Sequence, residues 1–213
     1  PSGSIDKNLS LIVNPHGGPI GPRDNWAFSG ETQLFASRGY AVLQVNYRGS
    51  GGYGRGFQNA GHQQWGQGIQ NDIIDATQWA IRQGHADKER VCIYGGSFGG
   101  YSSLMAPIRA PGLFKCAFGY VGVYDVAMMF EKGDIPRTET GQRYLRRTHG
   151  SDKKMWAENS PARRAAEVKI PVYLAAGARD VRTPPAQTEP MTKALIAAGT
   201  APAHLTLHSR ELH

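Results

Sequence analysis

Ser97 stands between two pairs of glycines, in the run Val91-Cys92-Ile93-Tyr94-Gly95-Gly96-Ser97-Phe98-Gly99-Gly100. A serine hydroxyl becomes a nucleophile when a neighbouring base takes its proton. The β-branched and aromatic residues Val91, Ile93 and Tyr94 read as a strand, and Tyr101-Ser102-Ser103-Leu104-Met105 opens a helix directly after the glycines. Strand, Gly-x-Ser-x-Gly, helix is the pattern of a nucleophile elbow. Gly95 and Gly99 let strand and helix approach closely, while Ser97 takes the strained turn between them. The hydroxyl is thereby pushed above the sheet, near helix N–H groups that can stabilise developing negative charge. The chemistry expected is acyl transfer through a covalent serine.

A serine needs a base, and the base needs an orienting carboxylate; behind such an elbow the chain order is serine, acid, histidine. Asp180 comes just after the apolar strand Pro171–Gly177, at the kind of strand end where open α/β sheets carry their sites. Asp125, Asp134 and Asp152 compete, but none directly follows so clear a strand. Beyond Asp180 only His204, His208 and His213 remain. His204 and His208 bound the last apolar run, which suits a structural or surface role. His213 falls in the following loop, where the base is expected.

These residues need a scaffold of alternating elements. Strands are expected over 9–14, 40–47, 90–95, 116–122, 171–177 and 203–208. Helices are expected within 24–39, with Trp26, Leu34 and Phe35 at helical spacing, over 71–84, from 101 to 110 and over 188–199. In the second of these, Ile73, Ile74, Thr77, Trp79, Ala80 and Ile81 mark the inner face. An irregular, partly helical insertion separates 122 from 171. Apolar strands alternating with helices indicate a mostly parallel sheet covered on both faces, the α/β class, in a single domain.

Composition narrows the function. The 213 residues are 40% hydrophobic and 19% charged, the balance of a folded globular chain. No apolar run approaches the roughly 18 residues of a membrane span, and the first residues do not read as a signal peptide. The net charge is +7, but the densest basic patch, Arg143, Arg146 and Arg147, carries no nucleic-acid signature and reads as a solvated face. The seven histidines show no metal-ligand spacing. The two cysteines, Cys92 and Cys116, lie in apolar strands and are expected to be buried free thiols. A chain beginning at Pro1 without methionine reads as a piece of a longer protein.

Six segments together resemble the catalytic domain of the prolyl oligopeptidase family, of the acylaminoacyl-peptidase and dipeptidyl aminopeptidase type. They are "NPHGGP", "GYAVLQVNYRGSGGYG", "RVCIYGGSFGGYSSL", "GLFKCAFGYVGVYD", "NSP" and "IPVYLAAGARDVRTPPAQTE", in order along nearly the whole chain. The resemblance implies an α/β-hydrolase fold, no cofactor or metal, and hydrolysis of short peptides through an acyl-enzyme. It makes Ser97 the nucleophile, Asp180 the orienting acid and His213 the base. The N–H groups of Phe98 and Gly18 become the oxyanion donors. Arg182 becomes the residue holding a substrate carbonyl, and Phe98, Val123, Val126, Met129 and Tyr144 form an apolar specificity pocket.

The chain also departs from that family's pattern. Leu212 stands before His213 where members usually have glycine, and the following glycine and final helix are missing. The resemblance therefore implies a loosely held base and a weak catalyst. An N-terminal β-propeller, expected in the full-length protein, has no counterpart in these residues. The same site on the same fold also suits a carboxylesterase; Arg182 and "NYRGSGGYG" favour the peptidase.

Overall fold

The computed structural model describes residues 7–213, so the chain's start at Pro1 lies outside the described residues. Six strands alternate with seven α-helices: β1 (Leu9–Val13), α1 (Gly30–Ala36), β2 (Ala41–Leu43), α2 (Arg55–Asn59), α3 (Gly68–Arg82), β3 (Ala86–Gly96), α4 (Phe98–Arg109), β4 (Cys116–Tyr120), α5 (Glu139–His149), α6 (Lys153–Glu158), β5 (Val172–Gly177), α7 (Pro185–Ala197) and β6 (His204–His208). The strand order is β2-β1-β3-β4-β5-β6, and every neighbouring pair is parallel. All strand C-termini thus face one edge, and β3 with its elbow lies in the interior of the sheet. No helix among the described residues is long and apolar enough to cross a membrane.

The core forms chiefly on one face of this sheet; the alternate residues Cys92, Tyr94, Phe118 and Tyr173, on the other face, are half-buried or exposed. Val91 and Ile93 of β3, Ala117 of β4, and Val172 and Leu174 of β5 are almost wholly buried. Helix α4 is buried from Phe98 through Ile108, as a helix between the sheet and other elements must be. Helix α3 packs through Ile69, Ile73, Ile74, Thr77 and Ala80. Trp79, expected on that face, is instead 50% exposed. It lies two residues past Thr77, about 200° around the helix. Thr77 turns its hydroxyl onto the Ile73 carbonyl.

Two further expectations are corrected. The helix within 24–39 is only seven residues, begun by Ser29, whose side chain accepts the Thr32 N–H. Trp26 lies outside it and is fully exposed. Cys92 and Cys116 are not buried free thiols; they form a disulfide and are only half-buried. Parallel pairing of β3 with β4 sets Cys92 directly opposite Cys116, with their Cα atoms 4.8 Å apart. A separation of 24 residues conveys nothing of that register.

Candidate active site

Ser97 has φ 56° and ψ −119°, left-handed backbone that is strained for a residue with a side chain. Two contacts impose it. The Ser97 N–H donates to the Tyr120 carbonyl of β4, and the turn is closed so tightly that a Cβ on Gly95 would lie 2.8 Å from the Gly99 Cα. The next N–H, of Phe98, begins α4 and has no acceptor within the helix.

His213 completes a line of side chains. Its Nε2 lies 2.9 Å from Ser97 Oγ and its Nδ1 2.8 Å from Asp180 Oδ2. Asp180 is buried, and its carboxylate accepts from the backbone N–H groups of Arg182 and Thr183 at 2.8 and 2.9 Å. Thr183 Oγ1 is 2.7 Å from Asp180 Oδ2, 2.7 Å from the Val121 carbonyl and 3.1 Å from His213 Nδ1. These donors satisfy a carboxylate that burial would otherwise penalise, and they aim Oδ2 at the imidazole. With Nδ1–H bound to Asp180, Nε2 is left free to accept the serine proton. The segment before His213 is tied to the end of β5: Ala178 N–H donates to the His208 carbonyl and Arg179 N–H to that of Glu211. These bonds and the two contacts of its ring place His213 in line with Ser97, although Leu212 stands before it.

The competing residues have other partners. Asp125 binds Arg163, Asp152 caps α6, and Asp134 pairs with Arg182. His204 and His208 bound β6.

The Gly17–Gly18 loop lies against the serine, with Gly17 facing Ser97 Cβ and Gly96. Behind it, the Tyr47 hydroxyl donates to the His16 carbonyl at 2.7 Å, and the His16 ring stacks on Tyr47. His16 Nδ1–H then donates to the Gly17 carbonyl at 2.7 Å, and Nε2 accepts from Ser50 Oγ at 2.9 Å. Burial holds the His16 pKa below its ordinary value, which favours this neutral form. Because the two ends of a trans peptide point oppositely, anchoring the Gly17 carbonyl turns the Gly18 N–H away from His16.

A cavity of about 830 Å³ opens on the Ser97–His213 pair. Phe98, Val123, Met129, Tyr144 and Arg182 line it, as expected, and so do Gly17 and Gly18. Val126 does not; it is 1% exposed in the core, its N–H bound to Ser160 Oγ. Trp65 and Ile135, which carry no motif, also form the wall. Trp65 packs edge-on against Phe98, with centroids 4.5 Å apart. The Arg182 guanidinium beside Asp134 holds that carboxyl below the usual carboxylate range.

A parallel sheet carrying a serine elbow, with acid and histidine on loops beyond later strands, defines an α/β-hydrolase. The chain belongs to the prolyl oligopeptidase family, whose family model matches residues 26–213. It is 37% identical over 211 residues to dipeptidyl aminopeptidase BIII of Pseudoxanthomonas mexicana, covering 92% of this chain and 29% of that protein. It is 32% identical over 229 residues to the acylamino-acid-releasing enzyme of Rattus norvegicus, covering 100% of this chain and 30% of that protein. Among solved structures, a puromycin-hydrolyzing peptidase of Mycobacterium tuberculosis superimposes with a TM-score of 0.87 at 34% identity, over 100% of this chain and 31% of that one. An acylaminoacyl peptidase in complex with Z-Gly-Gly-Phe-chloromethyl ketone gives 0.89 at 28% identity, over 100% and 34%. The chain thus spans about a third of the length of the relatives it matches.

Proposed function

We propose that the chain is the catalytic domain of a serine peptidase that hydrolyses short peptides through an acyl-enzyme. The observation carrying this reading is the unbroken line from Ser97 Oγ through His213 to Asp180, at 2.9 and 2.8 Å. In the proposed mechanism Ser97 Oγ attacks the scissile carbonyl carbon as its proton passes to His213 Nε2. Asp180 stabilises the imidazolium so formed. The oxyanion takes hydrogen bonds from the Phe98 and Gly18 N–H groups. Collapse breaks the C–N bond, and His213 delivers its proton to the departing amine. Water then attacks the acyl-enzyme, giving a proton to His213. Expulsion of Ser97 releases the acid, and the proton returns to Oγ. No cofactor enters this sequence.

Arg182 is proposed to hold a carbonyl of the acyl portion. Its planar set of donors suits that task, and it lines the same cavity as Ser97. Phe98, Val123, Met129 and Tyr144, with Trp65 and Ile135, are proposed to receive an apolar side chain. Relatives about three times as long as this chain support a further domain in the parent protein, which the family resemblance makes a β-propeller.

Fluorophosphonate labelling with peptide turnover tests the reading. The chain is expected to label at Ser97 and to cleave blocked peptide anilides, and Ser97→Ala to abolish both. Labelling that survives Ser97→Ala overturns the nucleophile assignment. Turnover of esters without any amide assigns the site to a carboxylesterase.

A further inference from the structure

Among the residues lining the cavity beside Ser97, Asp134 and Arg182 supply the carboxylate and the guanidinium; the others are neutral apart from the titratable His213. The two charges meet as a fork. Arg182 Nε donates to Asp134 Oδ1 at 2.7 Å, and Arg182 Nη2 to Asp134 Oδ2 at 2.8 Å. The Asp134 N–H also donates to the Val181 carbonyl at 2.8 Å. Three hydrogen bonds thus join the insertion after β4 to the two residues that follow Asp180.

We propose that Asp134 is a positioning residue that fixes Arg182 and sets the charge of the acyl-side cavity, so that the site favours neutral acyl chains over acidic ones. The proposal rests on the reading of Arg182 as the group that holds a substrate carbonyl. A guanidinium on a long flexible stem loses rotamer freedom whenever it is used, and a fork already formed removes that cost in advance. Two of its five N–H donors are spent on Asp134, which leaves three for a carbonyl. The second effect is electrostatic. Arg182 alone would draw any carboxylate entering the cavity, such as an acidic side chain on the acyl portion. Asp134 cancels that attraction and repels the same group, a like-charge device for specificity.

The test competes peptides against fluorophosphonate labelling of Ser97 in the full chain. Two blocked tripeptide amides are used, identical except that one carries Ala and the other Glu at the middle position. The unsubstituted protein is expected to bind the neutral peptide better. Asp134→Asn is expected to weaken the neutral peptide and to shift the neutral-to-acidic ratio about tenfold toward the acidic one, a change of about 1.4 kcal/mol. Asp134→Glu, which keeps the charge and both acceptor oxygens, is expected to restore the ratio. In an Arg182→Ala background Asp134→Asn is expected to have no further effect on the neutral peptide. A ratio that Asp134→Asn leaves unmoved, or a Glu variant no closer to the starting protein than the Asn one, overturns the proposal. Should Asp134→Asn fail to fold, Arg182→Ala alone decides. It leaves Asp134 as a lone carboxylate, so discrimination against the acidic peptide must widen, and narrowing overturns the proposal. Because binding is read without turnover, absence of peptide hydrolysis would count against the peptidase reading while these ratios still judge Asp134.

Discussion

Gly95, the last residue but one of β3, lies backbone against backbone with Gly99 in the first turn of α4. A Cβ added to Gly95 would stand 2.8 Å from both the Cα and the carbonyl carbon of Gly99, with no flexible side chain able to yield. We expect Gly95→Ala to lower stability to urea by about 1–3 kcal/mol, the usual range for overpacking. Fluorophosphonate reactivity is expected to fall further than stability does, because the strand and helix that part are the two that hold Ser97. A variant as stable as the parent would show that the turn has room to spare.

Arg182→Ala is expected to damage peptide hydrolysis much more than hydrolysis of a small activated ester. A small ester offers no second carbonyl for the guanidinium, and a hydrogen bond to a charged group is worth about 1.5–3 kcal/mol, or roughly ten- to a hundredfold in kcat/KM. The check is kcat/KM on both substrates. Equal losses would remove Arg182 from substrate recognition.

The Cys92–Cys116 disulfide joins strands that are already paired and closes a loop holding the whole of α4. For a loop of 24 residues the chain-entropy model gives about 3.5 kcal/mol. Urea midpoints with and without reductant are expected to differ accordingly, and Cys92→Ala with Cys116→Ala to match the reduced protein. Two titratable thiols in the native protein before reduction would contradict the pairing.

His149 of α5 is buried against Trp65, with ring centroids 4.6 Å apart, and its Nε2 has no hydrogen-bond partner among the described residues. Burial brings its pKa down from 6.5 to about 3. Its folded pKa is below the unfolded one, so protons favour the unfolded chain as the pH falls below about 6.5. Stability from neutral His149 is therefore full above that pH and is lost progressively down to about 3, at about 1.4 kcal/mol per unit. His149→Phe removes this titration. The urea stability of the native protein relative to His149→Phe is expected to decline at that slope from pH 6 to pH 4. A difference independent of pH would place the proton elsewhere.

The order of elements was readable because the strands are written as short apolar runs between helical ones, and because Ser97 sits in a turn only glycines permit. Asp180 and His213 were picked out from their places after β5 and β6, and His213 stands between Ser97 and Asp180. Other features depend on register or on irregular chain. The half-buried disulfide follows from which residues of β3 and β4 stand opposite. Trp65 and Ile135 reach the cavity from segments without periodicity, so nothing distinguished them from core. Val126 showed the reverse, an apolar residue near the sheet edge that turns inward. Asp134 was weighed as an acid for the histidine; its fork with Arg182 is a contact between segments 48 residues apart.

Helix α4 is buried along nearly its whole length, whereas residues 209–213 are exposed and joined to the body by few hydrogen bonds. Ser97 and His213 therefore belong to parts of the molecule with different opening free energies. On warming, the segment carrying His213 is expected to detach while Ser97 stays seated on an intact helix. Loss of the Ser97–His213 contact is then expected to precede melting, to reverse on cooling, and to leave amide exchange in α4 as slow as global unfolding allows. In heat, the alignment of Ser97 with His213 is then limited by the least anchored loop and not by the core.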